Sequence, residues 1–193
     1  DYLSVARICR VIVGAFAGDV LIMEVLILVG LIVLNGVFAM SEIALITAKK
    51  SRLTALAEQG RQSAALALRL AEDPTQFLSA VQIGITSIGL LNGIFGEAIL
   101  AEPFAVWLQT LGIPAASAGI LATVLVVIVV TYVSIVAGEL VPKRIGQVSA
   151  ETVACLVARP MLVLTVLTRP FVWMLSGSTH ALMRLGGFSQ QSA

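Results

Sequence analysis

Residues 25–48 read VLILVGLIVLNGVFAMSEIALITA, and this stretch decides the fold class. A helix needs about 20 mostly apolar residues to cross the hydrocarbon core of a bilayer. The run supplies them with a single acid, Glu42, towards its end, so it is the first expected span. Lys49, Lys50 and Arg52 follow at once, with Arg61 and Arg69 further on. Basic clusters beside a span stay in the cytoplasm, which sets the N-terminus outside.

The surrounding composition agrees. Of 193 residues 59% are apolar and 12% charged, with a mean hydropathy of +1.02, whereas soluble domains carry about 25% charged residues. The expected fold is an all-α membrane protein of three transmembrane helices plus amphipathic juxtamembrane helices. The chain opens on Asp1, and Met23 stands just before the apolar run. Met23 is therefore the expected native start and residues 1–22 an extension, without a persuasive signal-peptide cleavage site.

Downstream of the first span, residues 51–72 (SRLTALAEQGRQSAALALRLAE) interleave leucine and alanine with Arg, Glu and Gln. They read as an amphipathic helix at the inner membrane surface, closed by Asp73 and Pro74. The second span is expected over residues 77–100, where Gly84, Gly89, Gly93 and Gly96 mix with Gln82, Thr86, Ser87, Asn92 and Glu97. Gly89 and Gly93 make a GxxxG pair, suited to close helix approach. The polar residues need partners inside a bundle or a wet cavity, and a broken or re-entrant helix fits them equally. Residues 101–117, with Pro103, Gly112, Pro114 and no basic residue, read as an outer loop. Residues 118–137 are the most apolar stretch and the third span, ending before Lys143 and Arg144, which return the chain to the cytoplasm. Arg159, Pro160, Arg169 and Pro170 interrupt residues 150–185, which read as interface helices anchored by Trp173, and residues 188–193 as the start of a linker.

Several functions are excluded. No basic stripe suits nucleic acid. Cys9, Cys155 and the lone His180 have no metal-ligand spacing and read as structural. The chain holds no P-loop, no HExxH and no Ser/His/Asp ordering, so it is not expected to be an enzyme.

The remaining chemistry lies in acids set within or beside apolar runs, where an ionisable group is expensive unless paired or wet. Glu42 beside Ser41, Glu97, and Glu139 beside Gly138 are the three. Glu139 is the strongest, because Pro142 has no N–H and disturbs the carbonyl four residues earlier, that of Gly138. A freed carbonyl at a helix end beside a carboxylate is an oxygen environment for a hard cation such as Mg²⁺, Ca²⁺ or Na⁺. Ser41 and the pair Thr86 and Ser87 are candidates to add hydroxyl oxygens. Structural readings stand beside these: Pro142 as a helix stop, Glu42 paired with Lys49 or Lys143, Glu97 reaching the headgroups, Asn35 as interhelical glue.

The sequence Ser41-Glu42-Ile43-Ala44-Leu45, then Arg52-Leu53 and Leu56-Ala57-Glu58-Gln59-Gly60, then Gln82-Ile83-Gly84-Ile85-Thr86, then Gly138-Glu139-Leu140-Val141-Pro142-Lys143-Arg144 resembles the membrane domain of the CorC/CNNM family, also called DUF21, over residues 23–187. The resemblance implies a homodimer in a cell membrane, the inner membrane in bacteria, and cytoplasmic CBS domains after the membrane part. It also implies export of Mg²⁺, with Na⁺ as a driving ion in some members. Carried over by position, the family's ion site falls on Ser41, Gly138 and Glu139. Where members linked to Mg²⁺ have a polar residue and an asparagine, this sequence has Ile85 and Gly89; Thr86, Ser87 and Asn92 are the candidates to replace them. This version resembles a sister branch, some members of which are associated with export of polyamines such as putrescine or cadaverine. A non-transporting anchor or sensor for the CBS domains is the third reading.

Overall fold

A computed structural model describes residues 2–72 and 74–185, with side chains from Ile22 onward except those of His180, Arg184 and Leu185. The sequence-based readings of Cys9, Asp73, His180 and residues 188–193 fall outside the described parts. The helices are α1 (Tyr2–Thr47), α2 (Lys50–Glu58), α3 (Gln62–Glu72), α4 (Pro74–Thr110), α5 (Ala115–Ile135), α6 (Val141–Val148) and α7 (Ala150–Leu185), with a π-helical turn, Val136–Leu140, joining α5 to α6. The protein is an all-α membrane protein, with no strand among the described residues.

Four helical stretches are long and apolar enough to cross a membrane: Ile22–Thr47, Pro74–Thr110, Ala115–Val148 and Ala150–Met183. Three were expected. The difference is α7, which runs for 36 residues through Pro160 and Pro170. Each proline removes one N–H from the ladder, but both lie on the exposed side of the helix, while Val153, Ala154, Val157, Ala158 and Met161 are buried. Packing along that seam offsets a missing bond. Thr165 and Thr168 turn their hydroxyls to the Met161 and Leu164 carbonyls at 2.8 Å, the usual way for a hydroxyl to be satisfied on a helix facing apolar surroundings.

Two further expectations are corrected. The outer loop shrinks to residues 111–114, because α4 continues as helix through Pro103 to Thr110. Leu108 is held there against Ala118 and Ala122, and Gly112 makes the turn at φ +91°, a conformation that favours glycine. The amphipathic stretch is two helices, α2 and α3, separated at Gly60 with φ +86°.

The chain divides into two compact units, Asp1–Val37 with Ser87–Val141 and Phe38–Thr86 with Pro142–Ala193. In the second, α3 lies on both α2 and α7. Ala64, Ala67 and Leu70 on α3 and Ala150, Val153 and Val157 on α7 are buried, small side chains that let helix backbones approach. Gly146 of α6 is pressed onto α1, where an added Cβ would meet Ile43 Cγ2 at 2.5 Å and the Met40 carbonyl at 2.6 Å. Arg52 pairs with Glu151, and Lys143 with Glu42, both at 3.6 Å; of the two partners open to Glu42, Lys143 is the one it meets.

In the first unit, one seam dominates. Ala118, Ala122, Val126 and Val130 of α5 recur at every fourth residue and are buried. Opposite them on α4 stand Gly96, Leu100 and Phe104, also four apart, as ridges of i±4 residues pack in paired helices. Leu28 and Ile32 of α1 close the cluster. An added Cβ on Gly96 would come within 2.7 Å of Val130 Cγ1, so glycine is what brings α4 and α5 together there.

Candidate cation site

The polar centre of the first unit continues this seam. Four residues beyond Val130 is Ser134, and four beyond that is Gly138. On α4, Asn92 stands four residues before Gly96. The i±4 repeat that buries valine and alanine thus delivers an amide, a hydroxyl and a glycine to the end of the same interface away from the α4–α5 turn.

At Gly138 the helix widens instead of ending. The Val141 N–H reaches back to the Val136 carbonyl, a five-residue π spacing, and the chain continues helically through Val148. The expectation of a broken helix end is corrected to a π turn. Pro142 has no N–H to offer the Gly138 carbonyl, and the Asn35 side-chain amide donates to it instead at 3.0 Å. The fit at Gly138 is tight: a Cβ would lie 3.2 Å from the Ile32 carbonyl and 3.3 Å from Asn35 Nδ2, so any side chain there requires α1 to give by a few tenths of an ångström. Glu139, the next residue in the turn, is half-buried.

The first unit also holds buried polar side-chain atoms that find no protein partner: Asn35 Oδ1, Asn92 Oδ1 and Nδ2, and Ser134 Oγ. Asn92 is 1% exposed and Asn35 5%. Buried polar atoms are nearly always hydrogen-bonded, and leaving one unsatisfied costs about 1–3 kcal/mol. Four such atoms, carried by α1, α4 and α5 of the first unit, are atoms that a polar guest would satisfy. The oxygens among them are amide and hydroxyl oxygens, the hard donors that Na⁺, Mg²⁺ and Ca²⁺ accept.

Ser87 is exposed and, five residues from Asn92, sits about 140° around α4 from it, on the far side from the seam. Thr86 is exposed and takes a long 3.5 Å hydrogen bond from Gln82 Nε2. Ser41 is fully buried within the second unit. Glu97 is half-buried and accepts from Thr123 Oγ1 at 3.3 Å. Among the described residues no three His, Cys, Asp or Glu side chains converge, so a carboxylate-rich cage is not the arrangement. A groove of about 410 Å³ between α4 and α5, lined by Leu100, Pro103, Phe104, Trp107, Val126 and Val130 among others, is apolar throughout and unsuited to a cation.

Sequence reasoning passed over Ser134 and took Asn35 as structural glue. The signal for Ser134 was the four-residue ladder 118, 122, 126, 130, 134, 138, which carries one hydroxyl into an otherwise apolar interface.

The model of the Cyclin M transmembrane N-terminal domain, CNNM, matches residues 26–193. The chain belongs to the CNNM transmembrane domain family. Among similar proteins is a UPF0053 protein of Synechocystis, 47% identical over 89% of this chain and 38% of its own length. The UPF0053 protein YhdT of Bacillus subtilis is 34% identical over 86% of this chain and 36% of its own. The Polyamine export protein of Escherichia coli is 32% identical over 84% and 36%. The CNNM domain described here spans well under half the length of these relatives.

Proposed function

We propose that this CNNM domain carries a small cation out of the cell, with Mg²⁺ as the first cargo. The observation behind the reading is the set of buried, unpartnered polar atoms on Asn35, Asn92 and Ser134 in the unit where Asn35 holds the Gly138 carbonyl, with Glu139 in the same π turn as Gly138. Neutral oxygens strip and replace water around a cation, and one carboxylate supplies charge without holding the ion too tightly to leave. Na⁺ is the proposed coupling ion. A homodimer in the cell membrane, N-terminus outside, with CBS domains in the cytoplasm is the assembly in which we expect it to act, and no catalytic chemistry is assigned to it.

A second reading, export of a polyamine such as putrescine, is favoured by the name of the Escherichia coli relative and by Ile85 and Gly89, which bring no oxygen. Efflux from proteoliposomes loaded with Mg²⁺ or with putrescine separates the two. Glu139→Gln is expected to abolish Mg²⁺ efflux and leave the assembly intact; unchanged efflux removes Glu139 from the site. If neither cation moves, the anchor reading takes over.

A further inference from the structure

Glu97 is a further carboxylate on a membrane-length helix of the first unit. It is half-buried, accepts from Thr123 Oγ1 at 3.3 Å, and among the described residues has no Lys or Arg within ion-pair distance. A carboxylate in such a stretch is expensive unless something positive or wet answers it, and Thr123 satisfies one of its lone pairs only. Thr123 precedes Gly138 by fifteen residues on the same helical run, about 20 Å along the axis towards the α4–α5 turn. On α4, Glu97 follows Asn92 by five residues, about 7–8 Å along the axis, so the Glu97–Thr123 pair lies on the α4–α5-turn side of the first set.

Between the two centres the helices are shut. Gly96 lies against Val130 with no room for a Cβ, and Leu28, Ile32 and Val126 complete an apolar plug. One turn inward of that contact stand Asn92 and Ser134 with their unpartnered polar atoms. One residue beyond Gly96 stands Glu97. The seam therefore reads, from inside outward, unpartnered amide and hydroxyl, closed glycine–valine contact, then carboxylate with a threonine hydroxyl.

We propose that Glu97 and Thr123 form an outer cation station, receiving the cargo once α4 and α5 part at Gly96 and Val130 and releasing it outward. This rests on the cation-export reading and adds to it a second binding step. The Glu97 carboxylate is tied sideways to α5, about eight residues in from the start of that helix.

The test compares Glu97→Gln, Glu97→Asp and Glu139→Gln in the reconstituted protein, reading Mg²⁺ efflux with a fluorescent indicator and Mg²⁺ affinity by calorimetry. Glutamine still accepts the Thr123 hydrogen bond, so a merely structural Glu97 would tolerate it. With an outer station, Glu97→Gln lowers efflux about tenfold or more, the scale of losing one charge-assisted contact, while Mg²⁺ affinity stays within about threefold and Glu97→Asp recovers part of the rate. Parent-like efflux in Glu97→Gln together with loss in Glu139→Gln overturns the outer station and leaves cation export standing. Parent-like efflux in both variants overturns the outer station and removes Glu139 from the inner site, and no efflux in the parent overturns both the station and Mg²⁺ export.

Discussion

Asn35 Nδ2 donates to the Gly138 carbonyl at 3.0 Å, joining α1 to the π turn 103 residues away in sequence. The bond fixes the amide's orientation: its nitrogen faces Gly138, so Oδ1 is the atom left without a partner. One side chain therefore both repairs the backbone near Pro142 and keeps a buried oxygen without a protein partner.

Replacing that amide separates the two roles. Asn35→Leu removes the donor and leaves a buried carbonyl, an expected loss of about 1–3 kcal/mol, read as a lower melting temperature in detergent. Asn35→Asp keeps an oxygen but loses the donor and should also destabilise. A melting temperature unchanged in both would mean that the contact contributes nothing to the fold.

Ser134→Ala and Asn92→Leu should act in the opposite sense. Removing an unpartnered buried polar group relieves a desolvation penalty, so the cation-free protein is expected to melt at the same or a higher temperature. Stabilisation by added Mg²⁺, which follows from binding to the folded state, should shrink or vanish. Loss of stability without Mg²⁺, combined with an undiminished response to it, contradicts the site.

Two glycines make a contrasting pair. Gly146→Ala drives a methyl into the Met40 carbonyl and Ile43, and should cost about 1–3 kcal/mol as overpacking does. Gly89→Ala meets nothing within 4 Å and gains about 1 kcal/mol of helix propensity. If Gly89 and Gly93 pack against a second copy, Gly89→Leu should shift the particle to monomer in multi-angle light scattering while the fold survives.

The Glu42 and Lys143 pair is partly exposed, with side chains 20% and 31% accessible. Glu42→Gln is expected to change stability by no more than about 1 kcal/mol, measured by chemical denaturation in detergent. A much larger loss would point to a role for Glu42 beyond this ion pair.

Much of this was legible in the sequence because apolar run length and basic flanks are local quantities. Residues 25–48 and 118–137 declared themselves as spans without any contact being known, and the glycine and proline around Glu139 marked a disturbed backbone. The fate of Pro103, Pro160 and Pro170 was not legible. Whether a proline ends a helix depends on what its neighbours are packed against, as Leu108 is against Ala118 and Ala122.

Composition and hydropathy by themselves determined that the chain is a helical membrane protein, since a bilayer selects residue by residue for apolar character and backbone self-satisfaction. Only the tertiary structure decided which polar residues matter. Ser87 and Asn92 look alike along α4, but five residues of helical rotation turn one to the outside and the other into the seam, and the partner helices determine which of those directions is inward.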